Sequence, residues 1–384
     1  MVSPLKYSVG IDAAKDEFQV AMLLQNSDLS QGVKGTRKFS NTPEGYKHFE
    51  QWILSHKKFP IAVHLTIEAT GNYHENLVFY FYNQGFTVNV VLPNKAKKYL
   101  QSLGNKSKTD KIDARGLAQM GAEQQLRSWQ PFSESIYSLR CLTRYCEQLL
   151  HSRTMYRNQL MALSYGMYQV PEVKKRLQQL IETVEKQIDE VKQEIETTVR
   201  NDKKIWSRME NILTIKGLGI YSLAVIVAET NGFELFVNER QLCSYAGYDV
   251  IENQSGTRKG KTRISKKGNS HIRRILYMPS LNMVKYGNEK FVQLYERIMS
   301  RHSKKMVAYV AIQRKLLALI YALWKKNEEY KADYQWTFGN DESKSLFPVV
   351  ANGGKKSSPK QIGATQDELS YNESSEVLFP VAQR

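Results

Sequence analysis

The sequence predicts an α/β domain at its N-terminal end, a long helical arm in the middle, a mainly α domain after it, and a disordered tail. Three observations predict this. Apolar, β-branched runs alternate with helical patterns as far as about Gly121. Two long amphipathic patterns, Ser133–Tyr165 and Pro171–Asn201, are joined by a short link containing Gly and Pro. From Asp341 onward the chain is polar and poor in aromatics, and Gly353–Pro359 reads as linker. The expected boundaries are 1–128, 129–205, 206–330 and 331–384, since 384 residues exceed one ordinary domain.

The N-terminal elements follow in order. Tyr7–Ile11 is a short buried strand, Lys15 and Asp16 begin a turn, and Glu17–Leu24 is a second strand, the spacing of a tight β-hairpin. A third strand is expected around Thr36–Ser40. Thr42 is placed to cap a helix whose first turn accepts Pro43, a residue with no N–H to leave unpaired. Ile61–Ile67 is apolar and β-branched, as a central strand requires. A helix from Tyr73 to Asn83 ends at Gly85, and strand Phe86–Val91 follows. Pro93 opens a basic helix, and a loop, Ser102–Ser107, leads to a helix carrying Asp110 and Asp113. Three hairpin-connected strands followed by βα units is the ribonuclease H order. A Rossmann fold is disfavoured, because no G-x-G-x-x-G follows the first strand.

Four carboxylates punctuate these elements. Asp12 ends the first apolar run and Glu68 ends the central one. Asp110 and Asp113 lie three residues apart and share a helix face. Singly, each strand acid reads equally well as a loop-facing carboxylate, and the helical pair as a solvated face. A carboxylate closing a buried strand is costly unless it is paired or metal-bound. Together they give an acid on strand one, an acid on a later strand and two acids on a closing helix, the D-E-D-D arrangement of RuvC-like nucleases. Two cations about 4 Å apart then clamp the attacking and leaving oxygens of a phosphodiester. Oxygen ligands suit magnesium, with manganese as a substitute; Cys/His clustering of the zinc kind is missing. Lys108 and Lys111 flank the helical pair in a segment rich in cations.

A net charge of +17 implies a polyanionic partner. Cys141, Cys146 and Cys243 make no disulfide framework, so a reducing cytosol is expected, with Cys141 and Cys146 as buried helix residues. No run of 18 apolar residues and no signal-peptide core occur, so no membrane role is expected and the location is read as cytoplasmic, at the nucleoid. In the arm, Val173, Leu177, Leu180, Ile181, Val184, Ile188, Val191, Ile195 and Val199 form a helical stripe. It fits an antiparallel hairpin or coiled coil that acts as a spacer, a dimerisation element or a nucleic-acid clamp.

Ile212–Ile220 resembles a helix-hairpin-helix, in which Gly217 and Gly219 let the backbone approach a phosphate beside a helix N-terminus. Next, Arg258, Lys259, Lys261, Arg263, Lys266, Lys267, Arg273 and Arg274 occur with no carboxylate among them, the pattern of a phosphate-binding surface. Ser255, beside Gly256, is a candidate nucleophile in this field of cations, although serine needs activation. On residue chemistry alone it also reads as a turn residue, and Ser265 and Ser270 compete with it. In the tail, Leu346-Phe347-Pro348-Val349 recurs at Leu378-Phe379-Pro380-Val381, either a docking motif or a chance repeat.

Gly10-Ile11-Asp12-Ala13-Ala14-Lys15, Glu68-Ala69-Thr70-Gly71-Asn72-Tyr73, Lys108–Ala114, Gln254-Ser255-Gly256, Ile264–Asn269 and Ile272–Leu276 together resemble the DEDD transposases of the insertion sequence 110 family, related to the Piv invertase. The resemblance covers about Tyr7–Gly121 and Asn211–Met283. It implies a RuvC-like catalytic domain, a helical linker and a C-terminal transposase domain in a recombinase that cuts and rejoins DNA. It implies that Asp12, Glu68, Asp110 and Asp113 bind magnesium and that Ser255 links transiently to a DNA 5′-phosphate. It also implies donor and target DNA as partners, a structured bridge RNA that pairs with both, and a tetramer of two dimers. Without guide RNA, the same acids would serve a site-specific invertase or a junction resolvase. One departure stands out: where the family shows Gly-Leu-x-Pro before the serine, this chain has Gly247-Tyr248-Asp249-Val250, which removes a source of loop rigidity.

Overall fold

Three antiparallel strands open the structure: β1 (Pro4–Ala13), β2 (Glu17–Asn26) and β3 (Gln31–Ser40). The structure is a computed structural model and describes residues 2–331 other than Thr70, Lys106, Lys108, Thr257, Lys261, Gly287 and Asn288, with Lys259 described by its backbone alone. The tail linker and its repeated Leu-Phe-Pro-Val therefore lie outside the described residues. Helix α1 (Pro43–His56) follows, and the Thr42 hydroxyl accepts from the Gly45 N–H as a capping threonine should. Then come β4 (Val63–Glu68), α2 (Glu75–Asn83), β5 (Thr87–Val91), α3 (Pro93–Ser102) and α4 (Asp110–Glu123). The sheet order is β3-β2-β1-β4-β5, with β4 parallel to β1 and β5 parallel to β4. This mixed order is the expected one. The third strand is twice as long as its apolar signal, because a polar, Gly-containing edge strand carries little hydrophobic pattern.

The two faces of the sheet differ in kind. Tyr7, Val9 and Ile11 point to one side with Phe18, Val20, Met22, Phe39, Leu65 and Ile67, where α1 and α2 cover them with Phe49, Trp52, Ile53, Leu77 and Phe81. The stacked and edge-on rings of Phe18, Phe39, Phe49 and Phe81 dominate this core. On the other side the alternate residues of β1 are small or polar. Ser8 donates to the Ala118 carbonyl at 2.6 Å and Lys6 to the Gly121 carbonyl at 2.8 Å, both on α4. A Cβ on Gly10 would stand 2.0 Å from the Ala114 carbonyl oxygen and 2.1 Å from the Ala118 nitrogen. The helix thus lies backbone to backbone on the strand.

The arm consists of α5 (Glu134–Ser164) and α6 (Pro171–Asn201), packed along each other as an antiparallel pair, with Arg157 reaching Glu185 across it. Ser133 caps α5. The buried positions of α6 are Ile181, Val184, Ile188, Val191, Ile195 and Val199, the inner part of the apolar stripe, whereas Val173 and Leu180 nearer the tip are exposed. Cys146 is buried as expected, but Cys141 is exposed, because five residues along a helix turn it to another face.

Beyond the arm lie α7 (Lys203–Leu213), α8 (Ile220–Glu229) and α9 (Glu239–Tyr245). Two small antiparallel pairs follow, β6 (Val250–Ile251) with β9 (Arg263–Ile264) and β7 (Gln254–Ser255) with β8 (Arg258–Lys259). Then come α10 (Ser270–Ile275), α11 (Tyr277–Lys285), α12 (Glu289–Met299) and α13 (Lys305–Lys326). Helix α13 is long and apolar enough to cross a bilayer, with mean hydropathy 1.5, but it is a core helix: α7, α9, α11 and α12 pack on it and bury Ile312, Leu316, Leu319, Ile320 and Leu323. Residues Met1–Tyr330 form one compact unit.

Gly10→Ala should force α4 off β1. Overpacking of this kind costs about 1–3 kcal/mol where neighbours can yield, and backbone yields least, so the loss should reach at least about 3 kcal/mol in chemical denaturation. Gly32→Ala, on β3 with nothing within 4 Å of the added carbon, should cost well under about 1 kcal/mol.

Candidate active site and nucleic-acid interface

Helix α4 runs antiparallel to β1, in steps that stay in phase. Two strand residues advance about 6.8 Å and four helix residues about 6 Å. Ser8 meets Ala118, Gly10 meets Ala114, and the next step pairs the level of Asp12 with that of Asp110. On the neighbouring strand the register runs Gly10 to Thr66 and Ile11 to Ile67, so Glu68 follows beside Asp12 on the same face. Asp12 lies inside β1 rather than ending it, and Glu68 is the last residue of β4. Asp110 and Asp113 occupy the first turn of α4, where the helix dipole favours acids, and Thr109 caps that turn. The backbone thus carries all four acids toward one end of one sheet face. The side chains do not close into a shell: Asp110 is exposed, Asp113 half-buried, and among the described residues no three Asp, Glu, His or Cys side chains are grouped to hold a cation. Lys111 is exposed beside them; Lys108 lies outside the described residues.

Ser255 lies at the end of an exposed hairpin. It pairs with Arg258, and Gly256 takes the left-handed conformation (φ +55°) that the intervening turn needs. Residues directly opposite on paired strands project to the same side, so Ser255 and Arg258 share one side of the ribbon. The rest of the basic run divides in two. Arg258, Arg263, Lys266 and Lys267 are exposed. Arg273 instead donates to the carbonyls of Ala246 (2.7 Å) and Asn269 (3.1 Å), and Arg274 pairs with Glu147. Lys261 lies outside the described residues. Gly217 (φ +91°) is pressed against Asn282 of α11, where a Cβ would meet the Asn282 Cβ at 2.8 Å. Gly219 is open and precedes α8 without a side-chain cap, so no side chain of its N-cap satisfies the first N–H groups of that helix.

The serine's loop is held without the proline. Tyr248 is buried and donates to Gln313, Asp249 accepts from Ser244 at 2.6 Å, and the Ser265 N–H bonds the Asp249 carbonyl. Ser265 itself donates to the Gly247 carbonyl, which gives this competing serine a place in the clasp. Ser270 begins α10 and is exposed.

Sequence reasoning missed the polar knot behind this loop. Glu229, at the end of α8, is only 2% exposed. Arg144 of α5 donates to both its oxygens, at 2.7 and 3.1 Å, and the Asn269 amide donates at 2.6 Å. Burial works against the charge on Glu229, but the bonds from Arg144 and Asn269 outweigh it and hold its pKa below the ordinary carboxylate value. Glu147, one turn along α5, binds His271 and Arg274 in the same way; burial opposes its charge, and His271 and Arg274 keep its pKa low. A lone acid closing the apolar run Leu223–Ala228 was the available signal.

The strand order and the four acids define a protein with a ribonuclease H-like first part carrying an acidic sheet end. A family profile described as a transposase, of the DEDD insertion sequence 110 type, matches residues 9–169, and one described as the transposase IS116/IS110/IS902 family matches residues 209–296. The chain belongs to this insertion sequence 110 transposase family. It is 28% identical to the pilin gene-inverting protein of Moraxella bovis over 85% of this chain and 98% of that protein. It is 22% identical to the transposase for insertion sequence element IS1111A of Coxiella burnetii, over 84% and 91% of the two chains. Among solved structures, RuvC of Thermus thermophilus aligns with 32% of this chain and 99% of its own at 14% identity, with a TM-score of 0.24.

The knot should make the fold acid-sensitive. Because the folded pKa of Glu229 is depressed, its contribution is present above the ordinary value of 4.5 and is lost as pH falls through the lower folded value. Stability measured by thermal melting should therefore decline below about pH 4.5, and Glu229→Gln should make that decline shallower. Arg144→Ala, which leaves a buried carboxylate short of its main partner, should cost about 3–5 kcal/mol at neutral pH.

Proposed function

We propose that this transposase is a divalent-cation-dependent DNA recombinase that cuts and rejoins strands through a serine intermediate, guided by a structured RNA. The observation that carries the reading is the levelling of Asp12, Glu68 and Asp110 by the contact of α4 on Gly10. Asp12, Glu68, Asp110 and Asp113 would hold magnesium or manganese. Their all-oxygen donor set suits such hard ions. The bound cation supplies charge neutralisation on the scissile phosphate.

Ser255 is the nucleophile of this reading. Its Oγ attacks phosphorus, the bond to the 3′-oxygen breaks, and the serine proton passes to that leaving oxygen. The 5′-phosphate stays on Ser255 as a diester. A 3′-hydroxyl then attacks the same phosphorus and the serine oxygen leaves with its proton, so no ATP is consumed. Arg258, opposite Ser255, would hold the phosphate, and the N-terminus of α8 beside Gly219 would take another backbone phosphate. The ribbon that carries Ser255 shares no sheet with β1–β5. In this reading the site is composite, with acids from one protomer and the serine from another in a dimer or a tetramer of two dimers. The division into 1–128, 129–205 and 206–330 is part of the same proposal, the arm acting as spacer. Similarity to a pilin gene-inverting protein over nearly its whole length favours, as the second reading, an invertase that needs no guide RNA. Sequencing of RNA bound to the purified protein separates the two.

Asp12→Asn, Glu68→Gln, Asp110→Asn and Asp113→Asn should each keep nucleic-acid binding and lose strand exchange about 100-fold or more. Full activity in EDTA would defeat the metal reading. A covalent protein–DNA adduct should be trapped on the wild type and be missing from Ser255→Ala; an adduct that persists there, or maps to Ser265, removes Ser255 from its role. Mixing Asp12→Asn with Ser255→Ala protein should restore partial activity if the site is composite.

Arg258, Lys259, Lys261, Arg263, Lys266 and Lys267 make about six phosphate contacts in this reading. Log K should then fall against log salt with a slope of roughly −5. Changing Arg263, Lys266 and Lys267 to Ala should flatten it by about 2–3, whereas an unchanged slope would turn the cluster to solvent.

A further inference from the structure

The row of residues that holds Asp12 continues across the sheet. Asp12 pairs with Gln19 on β2, and Gln19 pairs with Lys38 on β3. Directly opposed residues project to one face, so Lys38 stands on the face of the acids, about 10 Å or two strand spacings from Asp12. The next residue, Phe39, is buried on the opposite face, which fixes this alternation. Strand β3 is the free edge of the sheet, and the Lys38 side chain is 51% exposed there.

Two acids act on this lysine. Its ammonium lies 2.5 Å from a carboxylate oxygen of Glu17, itself half exposed. The Glu17 hydrogen bond raises the Lys38 pKa, and the Asp110 carboxylate adds to the effect from across the face. The ammonium is therefore within the electrostatic reach of the acid site without being enclosed in it. An exposed pair such as Lys38–Glu17 is a weak stabiliser and is readily exchanged for a stronger anion. A phosphate, with its several acceptor oxygens and its charge, is such an anion. The four acids repel a DNA backbone wherever cations do not screen them, and Lys38 is the cation that this face supplies at the sheet edge on the row of Asp12.

We infer that Lys38 is a phosphate-positioning residue of the acid site. It grips the backbone of the DNA strand beside the scissile phosphate, and Glu17 occupies it until DNA takes that place. The inference rests on the reading of the four acids as the cutting site.

The test uses the full chain with the RNA that copurifies with it and a labelled DNA duplex carrying a site that it recombines, with binding measured in calcium and strand cleavage in magnesium. Lys38→Met should weaken binding about three- to tenfold and flatten the salt slope by about 0.9, one phosphate contact. Lys38→Arg should restore the slope. Glu17→Gln should tighten binding about two- to threefold, and should do nothing in the Lys38→Met background. Unchanged affinity and slope in Lys38→Met, with Asp12→Asn inactive, would overturn the lysine's role alone. An equal gain from Glu17→Gln in both backgrounds would overturn the exchange of Glu17 for phosphate. Normal cleavage by Asp12→Asn would instead bring down the acid-site reading on which the inference rests.

Discussion

The contact of α4 on β1 at Gly10 is the constraint on which the first half of the molecule depends. A side chain at that position would push the helix off the strand, because its first atom would meet the Ala114 carbonyl and the Ala118 nitrogen. With glycine there, helix and strand touch through their backbones, and Ser8 and Lys6 spend their donors on α4 carbonyls. Those bonds satisfy two polar side chains of β1 on a face that carries little apolar area of its own. Gly121 repeats the device one step away, where a Cβ would stand 2.2 Å from Thr66 Oγ1. The acids thus stand beyond two close approaches, on elements whose relative height is fixed. The aromatic core on the far side anchors the sheet while the near face remains thin and polar.

The second half is organised by a buried charge rather than by a close approach. Glu229 joins α5 to α8 through Arg144, and to the loop before α10 through Asn269. Asn269 also caps α10 and takes the Tyr245 carbonyl on its N–H, while Gly268 packs where a Cβ would reach 2.3 Å from that carbonyl. The block Ser265–Asn269 is therefore a clasp that fixes the base of the serine's ribbon to the root of the arm. Buried ion pairs add little net stability, but breaking one side is expensive, so such a knot specifies one arrangement of its elements. In the proposed reaction, a ribbon that presents a hydroxyl to a phosphate gains from a base that is fixed while its tip stays open.

What the sequence made legible follows from this division. Strand and helix order, the capping residue Thr42 and the stripe of α6 were all readable, because each is a local pattern in one element. The acids could be singled out as residue types at strand and helix ends. Their common level could not, since it depends on Gly10, whose meaning appears only once α4 lies across it. The basic run was readable as charge but not as function: Arg273 and Arg274 look like their neighbours in the sequence, yet bind carbonyls and Glu147. Glu229 was missed because a buried acid announces itself only through partners 85 and 40 residues away. Strand β3 was read short, as Thr36–Ser40, because an edge strand open to solvent lacks the alternation that marks a half-buried one.

The charge distribution has a direction that joins the two halves. The acidic sheet end is negative without cations, while the ribbon around Ser255 is positive and exposed. A polyanion is held by the second and repelled by the first unless divalent ions are present. In the proposed reaction, binding and cutting would therefore be separable steps: the ribbon captures the backbone in any salt that permits it, and the acid site admits that backbone only together with its cations. Lys38 softens this rule at the free edge, where a single ammonium, already occupied by a carboxylate, marks how close a phosphate can come before the acids oppose it. Glu17 then does on β2 what the phosphate would do: it neutralises the one cation that the sheet edge places on the row of Asp12.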